Sequence, residues 1–282
     1  MFLIRTILTV VLAAGIGGLL WMDHALKTDV GFMIVVFCAV VLSVQELYDL
    51  MRQKGYTPWS AWGTACAGLM VLADWLGYRD IHPELRWVGV AAFVFLCGLF
   101  ILQGWLRPRP QGVISMALTA FGIVYVWGLA HFIVRLRYLL PEVVGIRGVL
   151  LLVAVVKAGD IAAYIVGSRW GRHRPFTQVS SQKSWEGYIG GTVASLAAGV
   201  FFGRLLFDNM TWGMALTFAV PVCLFGHLGD LVESVIKRDL DAKDSGIRFP
   251  GLGGVLDVVD SLLLAAPVAF YLLEQMVIMG RL

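Results

Sequence analysis

Apolar residues run through this chain in blocks of about twenty, broken by short polar punctuation, with neither the period-two alternation of strands nor the broad polar face of a soluble helix. A hydrocarbon core about 30 Å thick takes roughly 20 residues of α-helix to cross. On that ruler the pattern predicts about nine spans, near 4–22, 30–48, 59–77, 87–106, 112–134, 148–167, 186–206, 211–231 and 252–279. The expected fold class is therefore an all-α polytopic integral membrane protein. The first block follows Arg5, is long, lacks an A-x-A cleavage site and runs straight into another span, so it reads as a retained helix and not as a signal peptide.

Composition sharpens this picture. The chain is 59% hydrophobic and 15% charged, against roughly 25% charged in soluble domains. A net charge of +3, with no basic patch interleaved with aromatics, argues against a nucleic-acid partner. Cys38, Cys66, Cys97 and Cys223 are scattered one to an apolar block. That is a packing pattern, not a zinc site or a disulfide framework. Alternate loops differ in Lys and Arg, thirteen against eight, with the richer set including Arg169, Arg172, Arg174, Lys183, Lys237, Arg238, Lys243 and Arg248. By the positive-inside rule these loops face the cytoplasm, with the N-terminus inside.

The polar residues within the spans are distributed unevenly. The first five spans are nearly free of charge and offer Gly, Ala, Ser and Thr for close helix packing. From Val149 onward the spans carry Lys157, Asp160, His227, Asp230, Glu233, Asp257 and Asp260. Within one integral domain, residues 1–147 are expected to be scaffold and 148–282 the catalytic region. No internal repeat of the transporter kind is visible.

Charged residues in a membrane span mark a functional site by default. Lys157, Asp160 and Tyr164 recur at i, i+3 and i+7, on one helix face. They read either as a self-satisfying Lys–Asp pair or as a ligand face on which Asp160 meets a cation. Gly159 and Gly167 then allow close approach of backbone or ligand. The loop that follows gathers Arg169, Arg172, Arg174, Ser180, Ser181, Lys183 and Ser184 ahead of Trp185–Glu186–Gly187. Cations and hydroxyls before a helix N-terminus suit polyphosphate. The same residues also fit plain positive-inside charge, with Ser184 as an N-cap and Glu186 complementing the helix dipole.

Asp230, Glu233, Ser234 and Lys237 form a second stripe, at i, i+3, i+4 and i+7. Two carboxylates a turn apart suit a hard cation with oxygen ligands, although Glu233 and Lys237 alone are also an ordinary i,i+4 pair. His227, one turn before Asp230, reads as its supporting partner. His131 reads as a buried, satisfied histidine. A Pro-Gly-Leu-Gly-Gly turn, Pro250–Gly254, then enters a span bearing Asp257, Asp260 and Ser261 on one face. Its backbone N–H groups are free to meet a phosphate. Asp160, Asp230, Asp257 and Asp260 together suffice for one or two divalent ions around a triphosphate, a clamp that drives in-line displacement at phosphorus without a protein nucleophile. No GxSxG, HExxH, GxGxxG or Walker A pattern occurs.

These segments resemble a known family. Gly229–Ser234, then Ser234, Lys237, Arg238, Lys243, Asp244, Ser245 and Gly246, then Pro250, Gly251, Gly253, Gly254, Leu256, Asp257 and Asp260, are similar to the C-terminal signature of the phosphatidate cytidylyltransferases, also called CDP-diacylglycerol synthases. Gly159–Tyr164 and Ser180–Gly187 match that family's two upstream motifs. The resemblance covers roughly residues 155–265. It implies transfer of CMP from CTP to phosphatidate, releasing pyrophosphate, in a membrane-embedded homodimer of the cytoplasmic (inner) membrane with its site facing the cytoplasm. Asp160, Asp230, Asp257 and Asp260 then correspond to Mg²⁺ ligands, with K⁺ possible beside it. Asp230, Lys237, Asp257 and Asp260 are the catalytic set. Tyr164, Ser180, Lys183, Ser184, Glu233, Ser234, Arg238, Lys243, Asp244, Gly253 and Gly254 are expected to bind substrate.

Three departures stand out. Leu252 replaces the family's His in P-G-H-G-G, Val258 replaces its Arg in L-D-R-x-D, and Ser181–Gln182 replace Pro–Lys. They leave a second reading open, a non-catalytic or acceptor-altered relative. An ion-coupled transporter is a third, opposed by the gathering of charge at one membrane face.

Overall fold

The computed structural model describes residues 15, 17–19, 22–23, 25–79, 85–106, 111–139, 143–175, 177, 180, 183–246 and 253–282. The expected span at 4–22 falls almost wholly outside them, as do Pro250, Gly251 and Leu252. The remaining eight apolar blocks are helices: α1 Val30–Gln53, α2 Ser60–Arg79, α3 Leu85–Ile101 continued by a π-turn Leu102–Leu106, α4 Gly112–Arg137, α5 Val143–Trp170, α6 Trp185–Leu206, α7 Trp212–Asp239 and α8 Val255–Ile278. Among the described residues seven of these, all but α2, are long and apolar enough to cross a membrane. The protein is an all-α polytopic membrane protein. Several helices outrun their apolar blocks, because polar residues that find partners within a turn prolong a helix. The last turns of α7 hold the Glu233–Lys237 pair at 2.5 Å.

The chain forms two compact units, one from residues 1–134 with 240–259, the other from 135–239 with 260–282. In the first, Tyr48 of α1 is a fully buried wedge. A Cβ on Gly63 of α2 or Gly122 of α4 would strike its ring, and its hydroxyl donates to the Thr119 carbonyl at 2.5 Å. The entry to α1 is capped from outside the helix: the Asp23 carboxylate accepts from Gly31 N at 2.8 Å and Phe32 N at 2.7 Å. This satisfies N–H groups that have no intrahelical acceptor.

This unit corrects the expectation that the early spans are almost charge-free. Glu46 in α1 and Asp74 in α2 are both buried. Asp74 accepts from Trp127 Nε1 at 3.0 Å and lies 2.8 Å from His131 Nδ1. His131 is thus satisfied as expected, by a partner that the apolar surroundings of Asp74 concealed, but it is half-buried where a fully buried histidine was expected.

In the second unit, α5 and α6 meet along a seam of small residues. A Cβ on Gly191 would lie 2.9 Å from the Gly159 carbonyl oxygen and 3.0 Å from Ala163 Cβ, and one on Gly187 would lie 2.9 Å from the Ala163 oxygen. Ser195 Oγ donates to the Val155 carbonyl at 2.8 Å across the same seam. Gly159 and Gly167 therefore serve backbone approach between helices, where the sequence left backbone and ligand open. Gly229 of α7 does the same against the main chain of Asp260 and Ser261.

Candidate functional site

The charged residues of the second unit come from four segments. On α5, Lys157 Nζ pairs with Asp160 Oδ2 at 2.8 Å. Lys183, in the loop before α6, donates at 3.0 Å each to the main-chain oxygen of Asp230 and to Ser234 Oγ, and pairs with Asp230 Oδ1 at 3.0 Å, so that its ammonium group is held against α7. Asp260 of α8 is only 5% exposed, and its Oδ1 accepts from the N–H and Oγ of Ser261 at 2.5 and 3.1 Å. The Asp260 carboxylate lies within electrostatic reach of Asp230, Asp160 and Lys157. Three carboxylates and two ammonium groups thus share one region of a membrane bundle, where like charges repel strongly and the lysines hold them together.

Supporting groups complete this cluster. His227 lies within electrostatic reach of Asp160 and Asp230. Its ring stacks edge-on against Tyr188 at 5.1 Å, and its Nε2 is 3.4 Å from Cys223 Sγ and 3.5 Å from Thr192 Oγ1. Tyr188 and Thr192 were not predicted. They sit one and two turns into α6, in a run with no charge to draw attention. Ser184 caps α6, accepting from Gly187 N at 3.1 Å. Glu186 folds the preceding loop by accepting from Arg172 N at 3.1 Å and His173 N at 3.3 Å, while lying 2.7 Å from His173 Nδ1.

Glu233 is 1% exposed and pairs with Lys237. The remaining predicted residues lie further out: Tyr164 is 67% exposed, Arg238 is exposed and Ser180 is half-buried in the loop.

In the first unit the signature turn is organised by carboxylates. Asp257 Oδ2 accepts from Ser245 N at 3.0 Å, Ser245 Oγ at 2.8 Å and Gly254 N at 2.7 Å. Glu46 Oε2 accepts from Leu256 N at 2.9 Å and Ser245 Oγ at 3.3 Å. This corrects the expectation of free N–H groups at the turn for Gly254, whose N–H is taken by Asp257, while Gly251 and Leu252 lie outside the described residues. Gly253 has φ +87, a conformation that suits glycine. Lys54 pairs with Asp241, while Lys243 and Asp244 are exposed. Val258 is 37% exposed in the first turn of α8.

Among the described residues no three His, Cys, Asp or Glu side chains converge closely enough to hold a metal alone. That arrangement still suits Mg²⁺, which usually takes one or two carboxylates and completes its shell with water and substrate phosphates.

Comparison with known proteins places the chain in a family. A model of the Cytidylyltransferase family matches residues 3–276. A phosphatidate cytidylyltransferase of Staphylococcus haemolyticus is 38% identical over 265 residues, covering 94% of this chain and 98% of that protein. An uncharacterized Escherichia coli protein, YnbB, is 32% identical over 251 residues, 86% of this chain and 80% of its own length. The chloroplastic phosphatidate cytidylyltransferase 5 of Arabidopsis thaliana is 32% identical over 273 residues, 85% of this chain and 65% of that protein.

Proposed function

The chain belongs to the cytidylyltransferase family, and we propose that this CTP-dependent nucleotidyltransferase transfers CMP from CTP to phosphatidate, giving CDP-diacylglycerol and pyrophosphate for phospholipid synthesis. The observation that carries the reading is the cluster of Asp160, Asp230 and Asp260 interleaved with Lys157 and Lys183 inside an apolar bundle. A phosphatidate oxygen attacks the α-phosphorus of CTP, the new P–O bond forms, and the bond to the β-phosphate breaks as pyrophosphate leaves. Such a displacement needs positioning and charge neutralisation and no protein nucleophile.

Lys183 is preset by Asp230 and Ser234, and its ammonium protons turn from them to phosphate oxygens. Lys157 neutralises in the same way beside Asp160. Lys237 and Arg238 add positive charge at the end of α7, with Glu233 holding Lys237. Asp160, Asp230 and Asp260 would hold Mg²⁺, and K⁺ beside it belongs to the same proposal. When bound, Mg²⁺ withdraws charge from the phosphoryl oxygens. For Asp257 the resemblance implies a ligand role, and its Oδ2 hydrogen bonds give it another, that of closing the Ser245 loop onto α8.

The Lys and Arg bias supports a cytoplasmic-facing site in the inner membrane, where CTP is present, and the homodimer implied by the resemblance is part of the same reading. Family membership sets the transporter reading aside. An altered acceptor remains the specific rival, because Val258 sits exposed beside Asp257 where the family has Arg. The deciding experiment offers the purified protein CTP with phosphatidate, a polyprenyl phosphate or an ether-linked lipid phosphate. Phosphatidate is expected to give the highest kcat/KM. Preference for another acceptor by tenfold or more would reassign the substrate.

A further inference from the structure

A carboxylate in a membrane span is expensive to keep and marks a task. Glu46, 2% exposed on α1, lies in the half of the chain that reads as scaffold, yet it contacts the signature segment 210 residues away. Leu256 is the second residue of α8, and its N–H is one of those that a helix start leaves without an acceptor. A Ser, Asp or Asn just before the helix would accept such a proton from its own side chain. Here that residue is Gly254, which has none, and Glu46 Oε2 takes the proton instead at 2.9 Å.

The glycine and the glutamate are matched. A Cβ on Gly254 would run into Glu46 Oε2 and Ser245 Oγ, and one on Gly246 would lie 3.1 Å from Glu46 Oε1. Ser245 links the two carboxylates. Its single hydroxyl proton lies between Asp257 Oδ2 at 2.8 Å and Glu46 Oε2 at 3.3 Å.

We propose that Glu46 is a positioning residue that caps α8 from α1. It fixes the azimuth at which the first turn of α8 presents Asp257. The expected effect on turnover rests on the CMP-transfer reading above. The link itself rests only on the hydrogen bonds. Small errors in the placement of reacting groups cost about 10²-fold in rate, so the cap is worth far more to kcat than to substrate binding.

The test compares wild type, Glu46→Ala and Glu46→Gln as full-length protein in detergent, by turnover and by backbone hydrogen exchange. Glu46→Ala is expected to lower kcat on the order of 10²-fold while changing the KM for CTP by less than about threefold. It should also speed exchange in peptides spanning residues 253–257, with α5, α6 and α7 unchanged. Glu46→Gln keeps an acceptor oxygen and is expected to recover at least about tenfold of the lost kcat, within the same 10²-fold scale, and to restore slow exchange. Unchanged kcat and exchange in Glu46→Ala would overturn the proposal, and so would faster exchange in every helix, the mark of a general stabiliser. If the wild type transfers no CMP, the functional reading fails, and the exchange pattern alone still decides whether Glu46 holds the entry to α8.

Discussion

Lys183 Nζ sits 3.0 Å from both the main-chain and a side-chain oxygen of Asp230, tying the loop ahead of α6 to the middle of α7. A lysine held to one helix by two hydrogen bonds and an ion pair is an oriented charge, not a floppy surface cation. Its placement joins the loop ahead of α6 to the carboxylate stripe of α7.

Replacing Lys183 by Ala is expected to lower kcat/KM for CTP by about 10²–10³-fold, the usual scale for losing one preorganised donor to a developing oxyanion. Lys183→Arg should fall between, because it keeps the charge but a planar guanidinium cannot copy the compact geometry of the ammonium group. Steady-state kinetics with varied CTP checks both.

Asp260→Asn separates function from folding. It keeps shape and hydrogen-bonding capacity but removes one of three like charges at a buried position, which relieves repulsion with Asp230 and Asp160. Turnover is expected to fall below about 0.1% of wild type, as for loss of a principal electrostatic group. Thermal unfolding in detergent should occur at the same temperature or a few degrees higher, since a gain of 1 kcal/mol raises Tm by about 2–4 °C at this size.

The α5–α6 seam predicts a contrast between two glycines. Gly191→Ala places a Cβ against the Gly159 carbonyl and Ala163 Cβ, neither of which retreats without moving a helix, and it should cost about 1–3 kcal/mol. Gly213→Ala, in the first turn of α7, meets nothing within 4 Å and should be neutral or stabilising by about 0.4–1 kcal/mol. Comparing the two unfolding curves tests whether the seam is as tight as described.

Much of this was legible in the sequence. The eight described helices each correspond to one of the apolar blocks, because hydrocarbon thickness sets a minimum helix length, and several run a turn or more beyond it. The stripes Lys157–Asp160 and Asp230–Ser234 were legible as well, because helical period alone puts i, i+3 and i+4 on one face. Contacts between distant segments were not. Periodicity says nothing about which carboxylate meets which amide 210 residues on, so neither the contact of Glu46 with Leu256 nor that of Asp257 with the Gly254 N–H is visible in the sequence. Asp74 was missed for a similar reason, since its partners Trp127 and His131 lie on another helix. Gly159 and Gly167 could be read two ways until α6 was seen against them.

Glu186 predicts a local effect. It accepts from Arg172 N and His173 N and closes the loop before α6. Glu186→Ala should free that loop, so limited trypsin digestion is expected to nick after Arg172 several-fold faster than in wild type, while the Arg174–Pro175 bond resists trypsin in both and the helices stay resistant. Equal nicking rates would assign the loop's order to other contacts.

The most direct test of the account follows the two ends of CTP. Purified protein, Mg²⁺ and phosphatidate micelles are supplied with CTP labelled at either the α- or the γ-phosphorus, with Asp230→Asn as the blank. The account predicts that α-label enters the lipid phase as CDP-diacylglycerol while γ-label leaves as pyrophosphate, and that the blank does neither. Recovery of α-label only in water-soluble products, from folded wild-type protein, would contradict it.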